Sequence, residues 1–236
     1  MTLLAQTAAA WGFPLSAEQL GQFAHYTQLL LAWNAHTNLT AITDPTAIQV
    51  RHFLDALSCA LVTGDLNGQT VVDVGAGAGF PGMPLRILFP GLRLTLVDSV
   101  GKKTDFLAAL AAALGFGDVT LLTERAEVLG QLPAHRERYD WALARAVAHL
   151  ATLAEYLLPL TRIGGAMLAQ KGADVREESA ESQTAIHLLG GSPPQLHPVQ
   201  LPQLAAPHTL VLVRKVAPTP AHYPRRVGIA AKRPLK

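Results

Sequence analysis

The chain has 236 residues, a length that suits one large domain or one domain with a small appendage. Half of the residues are apolar and 15% are charged, which excludes a chain that is disordered throughout. The net charge is +2, yet residues 201–236 carry seven basic residues and no acidic one. A basic end on a mildly acidic body predicts contact with a polyanion.

Cellular location and metal content are constrained by simple features. The single cysteine, Cys59, excludes an internal disulfide and a cysteine-rich metal site, and it is expected in the core. The N-terminus lacks the basic region of a signal peptide, and the longest apolar run, 106–116, is too short to cross a bilayer. The histidines lack metal-ligand spacing. We therefore expect a cytoplasmic protein with no membrane contact and no metal.

The first 66 residues are predicted to form a small helical N-terminal cap. Residues 17–34 and 45–62 carry apolar side chains at mostly helical spacing. Asp44 and Pro45 form a typical helix start, with an N-cap carboxylate followed by proline in the first turn. No strand pattern interrupts this region.

From Thr70 onward the pattern changes to alternating strands and helices. Short apolar, β-branched runs alternate with helical segments of about a dozen residues, which predicts a parallel sheet covered by helices on both faces over 67–216. Ser99 is expected to cap the helix that ends near Gly115. Residues 217–236, with four prolines and no periodicity, are predicted to form an extended basic tail. The predicted strands are 70–74, 92–98, 119–123, 139–145, 166–171 and 208–216.

The strongest chemical signal is the glycine-rich turn over residues 71–82, VVDVGAGAGFPG. A buried strand carries Asp73 and is followed by Gly75, Gly77 and Gly79. Glycine is needed where a ligand approaches the backbone closely or where φ is positive. The turn follows the first strand, and open α/β sheets bind ligands at the carboxyl ends of their strands.

The turn alone leaves two ligand classes open. Residues 77–82 satisfy the G-x-G-x-x-G fingerprint of nicotinamide and flavin enzymes. S-adenosylmethionine is favoured because the glycines begin earlier, because Asp73 lies inside the strand, and because a late strand follows residue 208. Asp98, at the end of the second strand, suits ribose hydroxyls in either class.

Seven ordered blocks resemble the ribosomal RNA small subunit methyltransferase G family, also called glucose-inhibited division protein B, and the match runs from about residue 20 to the C-terminus. The resemblance implies a class I S-adenosylmethionine-dependent methyltransferase fold, Rossmann-like with a mostly parallel seven-stranded sheet. It implies methyl transfer to N7 of a guanine in bacterial 16S rRNA, with no obligate protein partner. The blocks are NLTAITDP (38–45), RHFLDAL (51–57), VDVGAGAGFPGMPL (72–85), LVDSVGKK (96–103), ERAE (124–127), ARA (144–146) and YPRRVGIAAKRPL (223–235).

The resemblance also implies which residues bind the methyl donor. Asp98 matches the ribose-binding acid of the family, and Arg145 matches an arginine of the donor or substrate pocket. Gly77 in the turn and Ser99 after the second strand complete the expected set. The predicted donor-binding residues are Gly75, Gly77, Phe80, Asp98, Ser99, Ala126, Glu127 and Arg145.

The C-terminal block implies contact with ribosomal RNA. We expect Arg225, Arg226, Lys232 and Arg233, with Lys236 at the terminus, to contact phosphates. Three other functions stay open from the residues: a small-molecule methyltransferase, a nicotinamide oxidoreductase, and an RNA-binding module without activity.

Other conspicuous side chains receive structural interpretations. His52 and Asp55, three residues apart on a predicted helix, are expected to form a hydrogen-bonded pair that ties the cap to the sheet domain. Trp33 and Trp141 are expected to pack in the core. Asn38 and Thr40 are expected to shape a turn.

Overall fold

The structure is a computed structural model that describes residues 1–145, 147–172 and 175–235. Ala146 of the ARA block and Lys236 of the predicted RNA contacts lie outside the described residues. No helix in the described part of the chain is long and apolar enough to cross a membrane.

A seven-stranded sheet forms the centre of the molecule, in the order β3-β2-β1-β4-β5-β7-β6. The first five strands are parallel, and β7 runs antiparallel between β5 and β6. The predicted mostly parallel sheet of seven strands is confirmed. The strands are β1 (Thr70–Val74), β2 (Arg93–Asp98), β3 (Thr120–Thr123), β4 (Tyr139–Arg145), β5 (Thr161–Lys171), β6 (Gln195–Val199) and β7 (His208–Arg214).

Helices cover both faces of this sheet. A six-residue π-helical stretch, Gln49–Leu54, joins the third and fourth helices. The α-helices are α1 (Thr2–Ala10), α2 (Ala17–Thr37), α3 (Pro45–Ile48), α4 (Asp55–Leu57), α5 (Ala60–Thr63), α6 (Gly82–Leu88), α7 (Gly101–Ala113), α8 (Ala126–Leu129), α9 (Leu150–Leu157), α10 (Arg176–Glu181), α11 (Gln183–Leu188) and α12 (Ile229–Lys232).

Alternate residues of the central strands supply two hydrophobic cores. Val71 and Leu143 face one core, where the sheet packs against the cap helices and α7, whereas Val72 and Ala142 face the other, which contains α9. This follows from the two-residue period of a strand buried on both faces. Trp141 and Cys59 are buried in the first core, as predicted, and half-buried Trp33 packs against it.

The helical cap supports the glycine-rich turn directly. The Tyr26 hydroxyl, on α2, donates a hydrogen bond to the backbone carbonyl of Ala78. A Cβ atom on Gly79 would lie 2.7 Å from the same hydroxyl oxygen, so this glycine is required for close packing. The predicted start of α3 is confirmed, because Asp44 Oδ1 accepts from the backbone N–H of Ala47. Asn38 ends α2 in the left-handed conformation, and Thr40 shapes the following turn.

The C-terminal segment differs from its prediction. It is not an extended tail: Tyr223 is buried, α12 forms over Ile229–Lys232, and Ala230 is fully buried. The segment packs against α8 and α9 through hydrogen bonds to Glu127 and Glu155. The prediction of an extended conformation is therefore wrong. Glu155 and Glu127, about 70 and 100 residues earlier in the chain, accept hydrogen bonds from the backbone of this segment and fix its path.

Candidate active site

A cleft of about 310 Å³ lies at the carboxyl ends of β1, β2 and β4. It contains six of the eight residues predicted to bind the donor: Gly75, Asp98, Ser99, Ala126, Glu127 and Arg145. This cleft is called the donor cleft below. Gly77 and Phe80 do not line it.

The glycine turn forms one wall of the donor cleft. Gly75 has a φ of +71°, and a Cβ atom there would lie 2.8 Å from the side chain of Val147. Gly77 has a φ of +59°, and its backbone N–H donates to Asp98 Oδ2 at 2.9 Å. Gly77 therefore acts on the cleft by holding Asp98, rather than by lining the wall.

Asp98 is held rigidly at the end of β2. Its side chain is 5% exposed, and Oδ1 accepts from the backbone N–H of Val100 at 3.0 Å. Lys103 Nζ lies 3.6 Å from Oδ2. An ionised carboxylate has about four lone-pair sites, so each oxygen retains acceptor capacity for a ribose hydroxyl. Ser99 lines the cleft but makes no cap bond to α7, whose N-cap residue is Val100, so the predicted Ser99 cap is wrong.

Phe80 lies behind the glycine turn. It is 3% exposed and stacks between Tyr26, at 5.3 Å between ring centroids, and His52, at 4.5 Å. The Arg145 guanidinium lies 4.6 Å from the Phe80 ring centroid. The side chain thus joins the cap to Arg145, and its predicted donor contact would have to be made through the backbone.

Asp73 lies in the core beneath the turn. Its Oδ2 accepts from the backbone N–H of Gly82 at 2.8 Å, which anchors the start of α6. Burial raises the pKa of Asp73 to about 7, because desolvation penalises the ionised carboxylate. The acid predicted from the motif therefore supports the turn from below.

Ala126 and Glu127 open α8 on the opposite side of the donor cleft. Glu127 is 5% exposed, and its Oε1 accepts from the backbone N–H of Gly228 at 2.9 Å. Tyr156 of α9 lines the same wall. The C-terminal segment thus supports the donor cleft, a contact that the sequence did not reveal.

Arg145 joins the donor cleft to a second cleft of about 660 Å³ between the cap and the sheet, which we call the cap cleft. Its Nη1 donates to Asp55 Oδ2 and to the backbone carbonyl of Arg51, both at 3.1 Å. Asp55 Oδ1 is 2.8 Å from His208 Nδ1. The hydrogen bond raises the pKa of His208.

The predicted His52–Asp55 pair does not form. His52 Nε2 lies 2.8 Å from Thr40 Oγ1, and Asp55 bonds to Arg145 and His208 instead. The two residues do tie the cap to the sheet domain, but through Arg145. Burial lowers the pKa of His52 to about 4, so the ring is neutral at physiological pH.

The residues predicted to contact RNA divide into two groups. Arg225 forms an ion pair with Glu155 of α9, with 2.6 Å between Nη2 and Oε2. Arg226, Lys232 and Arg233 are exposed on the surface next to α8 and α12. Lys215 also belongs to the basic residues counted after position 200, but it is buried. Its Nζ donates to two backbone carbonyls and lies 3.3 Å from Glu137 Oε1.

Several residues of the two clefts had no signal in the sequence. Val147 and Tyr156 line the donor cleft, and Gln170 and His208 line the cap cleft. Val147 lies two residues after the end of β4, whereas long-range packing brings Tyr156, Gln170 and His208 to the clefts. In the described part of the chain, no three His, Cys, Asp or Glu side chains form a metal-binding group. The expectation that no metal binds stays a prediction.

The architecture is shared with solved methyltransferase structures. A SAM-dependent methyltransferase from Aquifex aeolicus aligns with a TM-score of 0.53 and 17% identity, over 73% of this chain and 94% of that chain. A 16S rRNA adenine-N1 methyltransferase from Catenulisporales acidiphilia aligns with a TM-score of 0.52 and 15% identity, over 66% and 88%. At these identities the likeness supports the fold alone, and it confirms the predicted class I methyltransferase fold.

Sequence relatives are much more similar. The chain is 54% identical over 235 residues to the ribosomal RNA small subunit methyltransferase G of Roseiflexus sp. (strain RS-1), with full coverage of both chains. It is 44% identical over 225 residues to the protein of that name from Alkaliphilus metalliredigens, covering 95% of this chain and 94% of the relative. The family model for rRNA small subunit methyltransferase G matches residues 19–205. These matches establish that the chain belongs to the rRNA small subunit methyltransferase G family.

Proposed function

We propose that the protein transfers a methyl group from S-adenosylmethionine to N7 of a guanine in the 16S rRNA of the bacterial small ribosomal subunit. The observation that carries the proposal is the donor cleft, where the glycine turn, Asp98 and the Ala126–Glu127 pair meet at the carboxyl ends of the parallel strands. The antiparallel β7 between β5 and β6 favours a methyltransferase over a nicotinamide enzyme, whose sheet is typically parallel throughout.

The residues of the donor cleft fit the proposed donor. S-adenosylmethionine supplies an electrophilic methyl group on a positively charged sulfur. Asp98 would accept hydrogen bonds from the ribose hydroxyls with its remaining lone pairs, and Gly77 keeps that carboxylate in place. Ala126 and Glu127 would lie beside the adenine, with Gly75 and Ser99 completing the cleft.

Methylation of guanine N7 requires the protein mainly to align the base with the methyl donor. N7 carries a free lone pair and has no proton to lose before it attacks, so no general base is needed. Holding the two reactants in line and excluding water supplies most of the rate. Arg145 lies where the donor cleft and the cap cleft meet, so it would position groups on both sides.

The exposed cations of the C-terminal segment would contact the rRNA backbone. Arg226 lines the cleft that Glu127 shares with the C-terminal segment, and Lys232 and Arg233 are exposed farther along that segment. Phosphate contacts of such cations steer a protein onto RNA. Arg225 would act indirectly, because it is held by Glu155. An enzyme of this function would act in the cytoplasm, where ribosomal subunits are found.

The experiment that tests this function combines methyl transfer with mapping. The protein is incubated with tritiated S-adenosylmethionine and small ribosomal subunits from cells that lack this methyltransferase. We expect one equivalent of tritium in the 16S rRNA, at a single guanine. Transfer to small molecules but not to the subunit would support a small-molecule methyltransferase, and absence of any transfer would support an RNA-binding module.

A further inference from the structure

The cap cleft contains two hydrogen-bond acceptors held in fixed orientations. Asp55 contributes a carboxylate that is 5% exposed and is bonded on one oxygen by Arg145 and on the other by His208. Each oxygen keeps a free lone pair after these bonds. The carboxylate is therefore oriented by the cap and the sheet together, and it can still accept from a ligand.

Gln170 is the second acceptor, and it lacks a partner. Its side chain is 5% exposed at the carboxyl end of β5, and Nε2 donates to the backbone carbonyl of Asp55 at 2.7 Å. That bond fixes the amide, because the opposite flip would set two oxygens against each other. No described residue donates to Oε1. A buried acceptor without a donor is destabilising, because the lost contact with water is not replaced, and a ligand donor would remove that penalty.

We propose that the cap cleft binds the target base, and that Asp55 and Gln170 select guanine by its Watson–Crick edge. This inference rests on the proposed function. Asp55 accepts from N1–H and from one hydrogen of the N2 amino group, and Gln170 Oε1 accepts from the other N2 hydrogen. Adenine has neither donor in these positions, so it would leave Gln170 Oε1 without a donor and would add no hydrogen bond to Asp55.

The same orientation directs N7 toward the methyl donor. N7 lies on the edge of the purine opposite N1 and N2, so a base held at Asp55 and Gln170 points N7 away from both acceptors. Arg145 lines both clefts, so N7 would enter the donor cleft beside its guanidinium. Methylated guanine is positively charged, and the nearby Asp55 carboxylate stabilises that charge as it develops. Asp55 thus serves both selectivity and charge stabilisation.

The test compares two substrates that differ only in the N2 amino group. Small subunits are assembled with 16S rRNA that carries either guanosine or inosine at the target position, and kcat/KM is measured for each. Inosine lacks the amino group, so we expect the wild type to prefer guanosine by about 10- to 100-fold. In Gln170→Met this preference should fall by about five- to tenfold, mainly through loss of activity on guanosine.

Two further variants keep the test decisive. Asp55→Asn preserves shape and should also lower the preference for guanosine, while donor affinity changes by less than about threefold. Gln195→Met, on exposed β6, is the matched control and should keep the wild-type preference. If Asp55 and Gln170 only stabilised the fold, each variant would lower kcat/KM for the guanosine and inosine subunits by the same factor. An unchanged guanosine-to-inosine ratio in Gln170→Met and Asp55→Asn would overturn the base-binding assignment, whereas a wild type that methylates neither subunit would overturn the proposed function instead.

Discussion

Arg225 in the C-terminal segment encloses the carboxylate of Glu155, a residue of α9 that lies 70 positions earlier in the chain. The Arg225 backbone N–H and Nε donate to Oε1 at 2.8 and 2.9 Å, and Nη2 donates to Oε2 at 2.6 Å. Glu155 is 1% exposed. A buried carboxylate with a bidentate arginine partner makes the last residues part of the folded structure, rather than a solvated appendage.

Loss of the Arg225 side chain is expected to destabilise the fold. Arg225→Met leaves Glu155 buried without its ion pair, which costs about 3–5 kcal/mol of unfolding free energy. Arg226→Met is the control, because Arg226 is exposed, and should cost less than about 0.5 kcal/mol. Urea denaturation measures both. Equal stabilities of the two variants would mean that the Glu155 contact contributes nothing.

The three exposed cations of the C-terminal segment are expected to set the salt dependence of RNA binding. Replacing Arg226, Lys232 and Arg233 with glutamine should reduce the log–log salt slope of small-subunit binding by about two to three units. The matched control replaces Arg93, Arg138 and Arg214 with glutamine; these are exposed cations at the amino ends of β2 and β4 and at the end of the antiparallel β7. Affinity is measured at several salt concentrations. If the variant of the C-terminal segment had the same salt slope as the control variant, phosphate contacts by this segment would be excluded.

Donor affinity is expected to depend on the Gly77–Asp98 contact. Gly77→Val should abolish donor binding, because a β-branched residue is strained at a φ of +59° and displaces the N–H that holds Asp98. Asp98→Ala should weaken binding by about 1.5–3 kcal/mol. Calorimetry with S-adenosylmethionine measures both. The control Asp65→Ala, in the loop before β1, should bind normally; full affinity in Gly77→Val would show that the donor binds elsewhere.

The buried Asp73 carboxyl is expected to make stability depend on pH. Its pKa is about 7 in the folded state, above the ordinary value of 3.8 for an aspartate, so the folded protein binds a proton that the unfolded chain releases. The stabilising contribution is complete below about pH 4 and is lost as pH rises through 7. Asp73→Asn still accepts from Gly82 and removes this titration. We expect its unfolding free energy to vary less with pH between 4 and 7 than that of the wild type, and parallel curves would contradict the assignment.

The central strands could be predicted well from the sequence because their signals are local. The bounds of β1 and β4 agree with the prediction at both ends, since each is a short apolar run with clear breaks. Strand β6 was not predicted, because it is a half-exposed edge strand that contains Pro198. Helix α1 lies within the predicted helical cap, but its bounds were not predicted, because its alanine-rich sequence has no side-chain cap to mark its start.

Long-range contacts explain what the sequence could not reveal about the site. Gly75 and Asp98 were recognised because a motif places them at strand ends. Gln170 and His208, by contrast, meet Asp55 from 115 and 153 residues away, and no local pattern encodes that meeting. The C-terminal segment was misjudged for the same reason, since its fixed backbone depends on Glu127 and Glu155.

The most direct test of the account replaces one atom of the substrate. Small subunits are assembled with 16S rRNA that carries 7-deazaguanosine at the target position, where a C–H group replaces N7 and the Watson–Crick edge is unchanged. With tritiated S-adenosylmethionine, we expect full methyl transfer to the guanosine subunit and none to the 7-deazaguanosine subunit, although both should bind equally well. Equal transfer to the two subunits would contradict methylation at N7.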